Sequence, residues 1–307
     1  MTTSESSDRR GILVIGAGEL GSSVLVALSR RNNDADALTV LLRPSDTPQR
    51  TQLLGDLAGW GVAVVESDVA TASVAELSAI LRRFHTVVSC VGFAAGPGIQ
   101  TKLTHAALEA EVLRYLPWQF GVDYDAIGRG SPQNLFDEQL DVRELLRAQS
   151  TTEWVIVSTG MFTSFLFEPS FGVVDRATHT VNALGSWDNE VTVTTADDIG
   201  VLTAEILHAQ PRIANQVVYV AGDTISYREL ADVVERADGV PITRNEWTVA
   251  QLLEDLERDP DDTLKKYRAV FAQGIGVAWP KAETFNMAQG IPTLSAEEWA
   301  LANFVKA

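Results

Sequence analysis

Three glycines, Gly16, Gly18 and Gly21, follow the apolar run Ile12 to Ile15 in a Gly-x-Gly-x-x-Gly spacing, and residues 22–31 read as a helix. Each glycine has a separate task in such a strand-to-helix turn. The first permits the tight turn, the second lets backbone amides approach a pyrophosphate, and the third lets helix and strand pack closely. Glu19, Leu20 and Gly21 lead into the new helix N-terminus, where backbone amides face the phosphate anions. A bare three-glycine pattern is weak, but its place between a buried strand and a helix points to dinucleotide binding.

The next strand, Leu38 to Leu42, ends in Arg43-Pro44-Ser45. A site for NAD usually places Asp or Glu at that strand end, to accept hydrogen bonds from the ribose hydroxyls. Arg43 offers a planar fork of donors instead, suited to a 2′-phosphate. Ser45 stands beside it and Arg50 about a helical turn beyond. The reading is therefore NADPH rather than NADH, against the alternative of an ordinary solvated arginine.

The elements that position these residues alternate as strand and helix through the first half, the pattern of an α/β protein with a doubly wound parallel sheet. Further strands are predicted over 62–66, 86–90, 113–116, 154–157 and 216–220. Helices are predicted over 51–59, 74–83, 100–110, 135–148, 196–208, 227–237 and 249–258, with Ser226 or Asp197 as caps and Gly239 as a terminator. The carboxyl ends of parallel strands form one edge, where ligands bind. That edge collects the glycine turn, Arg43, Asp68, Gly92, Trp118 and Phe120, with Gln100 on the helix after Gly92. Asp68 is placed to accept from the adenine amino group or, equally, to cap the segment 71–83. Residues 1–10 read as a loose polar tail, 11–165 as the cofactor domain, and 166–307 mainly as a smaller substrate lobe, with 191–237 returning to the sheet. Phe162, Phe165, Phe167, Phe171 and Trp187 enrich that lobe, and Trp247, Tyr267 and Phe271 are assigned to helical segments. Aromatics lining a cleft would suit a planar, apolar small molecule.

Composition narrows the classes. A formal charge of −17 disfavours direct contact with nucleic acid or an anionic membrane. Cys90 is the only cysteine, so no intramolecular disulfide can form, and a reducing, cytoplasmic setting is expected. No apolar span of about 20 residues is present to cross a bilayer. The four histidines are scattered without metal-ligand spacing, and no metal is expected.

In this order, Gly16-x-Gly18-x-x-Gly21, Leu41-Leu-Arg43, Val87-Val-Ser-Cys-Val-Gly92, Gln100-Thr-Lys-Leu, Arg114-Tyr-Leu-Pro-Trp-Gln-Phe-Gly121 and Trp154-Val-Ile-Val-Ser-Thr-Gly-Met-Phe162 resemble the isoflavone-reductase-like, NmrA-like branch of the short-chain dehydrogenase superfamily. The resemblance covers about residues 11–168 well and the remainder loosely, through Val191-Thr-Val-Thr-Thr-Ala-Asp-Asp-Ile-Gly200. It implies an NADPH-binding domain with a substrate lobe, and reduction of phenylpropanoid-like or polyketide-like aromatics. Two departures stand out. The resemblance places a general acid–base lysine where this chain has Gln133 or Asn134, and no Tyr precedes a Lys by four residues.

Groups left for proton transfer or substrate orientation are Tyr124, Asn134, Gln119 and Asp137, with Asp123 and Glu138 nearby. Gln119 and Asn134 can hydrogen-bond a carbonyl but cannot act as acids. Asp137 and Glu138 lie where a helix start favours carboxylates for structural reasons alone. The leading expectation is an NADPH-dependent reductase of a small aromatic metabolite. An NADP(H)-sensing regulator without turnover, and a non-redox isomerase or cyclase on the same scaffold, are the alternatives. Either a homodimer or a protein partner is compatible with the sequence.

Overall fold

The computed structural model describes residues 11–31, 37–130, 132 and 134–304. Its strands are β1 (Ile12–Ile15), β2 (Leu38–Leu42), β3 (Ala63–Glu66), β4 (Thr86–Ser89), β5 (Arg114–Leu116), β6 (Glu153–Ser158), β7 (Met161–Phe162), β8 (Val174–Asp175), β9 (Thr180–Leu184), β10 (Glu190–Thr194), β11 (Gln216–Tyr219), β12 (Asp223–Ser226) and β13 (Thr243–Trp247). Seven of them form one sheet in the order β11-β6-β5-β4-β1-β2-β3. The pairs from β3 through β6 are parallel, so these strands carry their carboxyl ends on one edge. The expected doubly wound α/β class is the observed one.

Residue contacts divide the chain into two compact units. The first comprises 1–119, 141–156 and 199–217, the second 120–140, 157–198 and 218–307. Segments 120–140, 157–165, 191–198 and 218–237, read from sequence with the sheet, thus group with the second unit. Gly121 explains part of this: its carbonyl accepts from the Thr159 and Gly160 amides, beyond the end of β6.

In the first unit, Leu13, Ile15, Leu41, Val87, Tyr115 and Ile156 from the sheet are fully or almost fully buried with Leu77, Leu81 and Leu103 from the covering helices. Burial of each such aliphatic side chain is worth about 1.5–3 kcal/mol. These strands are continuous apolar runs because both faces are covered. Arg114 is the polar exception. Its guanidinium is buried and donates to the carbonyls of Ile206, Leu207 and Ile213, satisfying the end of the helix Ala196–His208. Burial, with the Arg212 charge second, pushes its pKa down to about 10.

The second unit contains two three-stranded sheets, β12-β10-β7 and β13-β9-β8. Trp247 ends β13 and does not lie on a helix, whereas Tyr267 and Phe271 do lie on the helix Thr263–Gln273. Ser226 caps the helix Tyr227–Asp238 through a reciprocal capping box with Glu229, and Gly239 terminates it in the left-handed conformation. Asp197 is not a cap. Thr195 Oγ1 accepts from the Asp198 amide, and Asp197 falls inside the first turn.

Candidate functional site

The glycine turn has the geometry that its spacing requires. Gly16 has φ +90°, a conformation that strains any residue with a side chain. A Cβ on Gly21 would lie 2.1 Å from the Gly16 carbonyl oxygen, so only glycine permits this helix-to-strand approach. A Cβ on Gly18 would meet nothing within 4 Å. The middle glycine therefore borders open space, as a pyrophosphate needs. The helix Glu19–Arg31 starts here, and Ser22 donates its amide to the Gly18 carbonyl. The Leu20 and Gly21 amides precede that bond, at the end of the helix where the dipole is positive. Leu20 itself is buried and supplies backbone, not side chain.

At the end of β2, Arg43 is exposed and makes no hydrogen bond or ion pair with any described residue. Ser45 Oγ lies 3.4 Å from the Thr47 hydroxyl, and Thr47 caps the helix Pro48–Gly59. Arg50 is different. It is buried on that helix and its Nη2 donates to Glu66 at 3.0 Å. Of the two basic residues noted after β2, only Arg43 is thus available to an incoming anion.

Asp68 follows β3. Its carboxylate accepts from the Ala70 amide, and the helix Val74–Leu81 is capped instead by Ser73 and Glu76. The capping alternative for Asp68 therefore falls. Gly92 follows β4 with the half-buried Trp118 indole packed against it, 3.1 Å from where a Cβ would be. Trp118 also meets the Phe93 ring edge-on at 4.6 Å. Gln100 is buried and donates to the Val91 carbonyl at 2.8 Å, fixing the loop beside Gly92. Phe120 is buried and belongs to the second unit. Cys90, behind the turn, has its thiol pushed up by burial and is no nucleophile.

The four candidates for proton transfer or orientation range from wholly buried to exposed. Gln119 is wholly buried in the first unit, its carbonyl oxygen accepting from Arg143 Nε at 2.9 Å. Tyr124 is 2% exposed in the second unit, its ring 4.8 Å from Phe136. Its hydroxyl sits where a Cβ on Gly121 would approach to 2.4 Å. Asp137 accepts from the Gly130 amide at 3.4 Å. Asn134 is exposed, and Gln133 lies outside the described residues.

Asn134 brings a residue the sequence reading missed. Its Oδ1 accepts from Lys266 Nζ at 2.9 Å. No sequence signal joins residues so far apart. The segment Asn134–Phe136 and the helix Thr263–Gln273 also supply the rings of Phe136 and Tyr267, 5.7 Å apart. Phe165 meets Tyr267 at the same separation. Burial, with the Tyr124 phenol second, raises the Tyr267 phenol far above the ordinary tyrosine range, so it stays neutral. Among the described residues no group of His, Cys, Asp and Glu could hold a metal ion. Nor is any of their helices long and apolar enough to cross a membrane.

A parallel sheet of this order, with a glycine turn after β1 and a basic end to β2, defines a Rossmann-like α/β protein. The chain belongs to the NmrA-like family, which matches residues 8–274. An NmrA-like family domain-containing oxidoreductase of Gibberella moniliformis is 47% identical over 294 residues, covering 94% of this chain and 96% of that protein. Among solved structures, the fold matches isoflavone reductase with TM-score 0.80 at 19% identity, over 97% of this chain and 100% of the other. The leucoanthocyanidin reductase–NADPH complex of Vitis vinifera matches with TM-score 0.73 at 22% identity, over 88% and 89% of the two chains. An NADPH-dependent quinone oxidoreductase of Escherichia coli matches with TM-score 0.72 at 19% identity, over 96% and 100%. At these identities the structures speak to the fold.

Proposed function

We propose that the chain is an NADPH-dependent oxidoreductase that reduces a small, planar aromatic molecule of phenylpropanoid or polyketide type. The observation that carries the reading is the Arg43 guanidinium, without a partner among the described residues, on the sheet edge that also holds the open glycine turn. In this reading the amides after Gly18 receive the pyrophosphate, and Arg43 with Ser45 receives the 2′-phosphate. Asp68, which already accepts one backbone amide, has oxygens to spare for the adenine amino group. Gly92, Gln100 and Trp118 shape the floor nearer the nicotinamide. Bound NADPH would supply the hydride, and the protein must orient the acceptor and steady the charge it develops.

The oxidoreductase name of the Gibberella relative and the NADPH-dependent reductases among the structural matches support this reading. Burial of Gln119 and Tyr124 is the one observation favouring a second reading, in which NADP(H) is bound as a signal without turnover. Loss of NADPH absorbance at 340 nm during incubation with planar aromatic ketones, enones and quinones separates the two. Turnover of any of them supports the reductase. Tight NADPH binding with no oxidation across the panel supports the sensor.

A further inference from the structure

Glu66, the last residue of β3, stands in register with Leu42 of β2, and Arg43 follows Leu42 directly. Asp68 comes two residues after Glu66. Glu66 thus sits on the stretch of sheet edge assigned to the 2′-phosphate and the adenine. A free carboxylate there opposes a phosphate monoester, which carries about two negative charges. Glu66 is not free. Arg50 Nη2 donates to its Oε1 at 3.0 Å, and the Arg50 side chain is 8% exposed against 53% for Glu66. The cation therefore lies on the protein side of the pair and the carboxylate on the solvent side, so an arriving anion meets Glu66 before Arg50. Stability does not account for the arginine. It stands at the third position of the helix Pro48–Gly59, where the dipole disfavours a cation. Its Nε is buried with no acceptor among the described residues, and an apolar side chain of similar volume commonly stabilises a fold as well as a buried ion pair does.

We propose that Arg50 neutralises Glu66 and thereby sets the preference of the first unit for a dinucleotide that carries a 2′-phosphate. Arg43 supplies the direct contact. Arg50 acts through Glu66, without touching the phosphate, and is a positioning residue. The inference rests on the reading of Arg43 as the partner of the 2′-phosphate.

The test measures NADP⁺ and NAD⁺ affinities of the full chain by calorimetry at one low ionic strength, since the two nucleotides differ only in the 2′-phosphate. Arg50→Met unmasks the Glu66 charge and should weaken NADP⁺ about tenfold, the order of a carboxylate–phosphate repulsion at a protein surface, while NAD⁺ stays within about twofold. Adding Glu66→Gln to that variant removes the charge again and should restore most of the NADP⁺ affinity. Glu66→Gln alone leaves the Arg50 cation uncompensated and should tighten NADP⁺ only. Circular dichroism confirms folding, and the Glu66→Gln arm stands even where Arg50→Met fails to fold. Equal losses for both nucleotides in Arg50→Met mark a structural role and overturn the proposal. A loss that persists in the double variant means that Arg50 touches the phosphate itself, which overturns it too. So does unchanged NADP⁺ affinity in Glu66→Gln. A wild type without preference for NADP⁺ overturns the Arg43 reading and the inference together. A preference lost in Arg43→Asp but intact in Arg50→Met overturns the inference alone.

Discussion

The residues assigned to the cofactor's phosphates and adenine in the first unit, and those assigned to proton transfer in the second, are held in opposite ways. In the first, the glycine turn, Arg43 and Asp68 lie at strand ends with room or donors left over. In the second, Tyr124 is packed into an aromatic core, Asp137 is tied to a loop amide, and Asn134 is tied to a lysine. A turn that binds phosphate is made by local backbone geometry, so neighbouring residues suffice to specify it. A substrate-facing group is assembled from distant segments, and its residue type alone does not reveal whether it faces a ligand or a neighbour.

This contrast can be broken most sharply at Gly21. Gly21→Val would press side-chain atoms into the Gly16 carbonyl, so NADPH binding should fall below detection in a fluorescence titration. Stability should drop by about 1–3 kcal/mol, the usual cost of overpacking. Retained binding would mean that the turn is not the phosphate site. In the second unit the corresponding steric test concerns packing alone. Gly121→Ala would collide with the Tyr124 hydroxyl and should also cost about 1–3 kcal/mol in urea unfolding. Combining it with Tyr124→Phe should recover a large part of that loss, because the two residues are in contact. Strict additivity would place the tyrosine elsewhere.

The smallest effect should be the same in both units. Ser73→Ala and Ser226→Ala each remove a capping-box hydroxyl and should each cost about 1 kcal/mol. The hydroxyl and amide of each serine hold the partner carboxyls, Glu76 and Glu229, below their ordinary value of 4.5. Carboxyls shifted down in the fold stabilise it above that value, and the contribution is lost as pH falls through the folded-state range. Wild type and cap variants should therefore converge in stability under acid, as followed by urea unfolding between pH 6 and 3. A gap that stays constant across that range would deny the carboxylates their part.

Much of the first unit was legible in the sequence because its central strands β1, β2 and β4 are buried throughout and read as largely apolar runs. The turn was legible because each glycine has a distinct backbone task. The Ser-x-x-Glu box at Ser73 was equally visible, and reading Asp68 as the competing cap overlooked it. Arg50 could not be set aside from sequence, since its partner Glu66 is on a different element. The same holds for Gln119 and Arg143, and for Asn134 and Lys266. Trp247 misled for another reason. Its strand, Thr-Arg-Asn-Glu-Trp, is largely exposed and polar, so it carries no alternation of apolar and polar residues to distinguish it from a helix.

The central claim is that this fold holds NADPH through Arg43, and the most direct measurement is the ratio of NADPH to NADH affinity in wild type and Arg43→Asp. Wild-type protein should prefer NADPH by about tenfold or more, since a guanidinium–phosphate contact is charge-assisted. The substitution should erase that preference and leave NADH binding nearly unchanged. Equal affinities in the wild type, or equal losses for both nucleotides in the variant, would contradict the account.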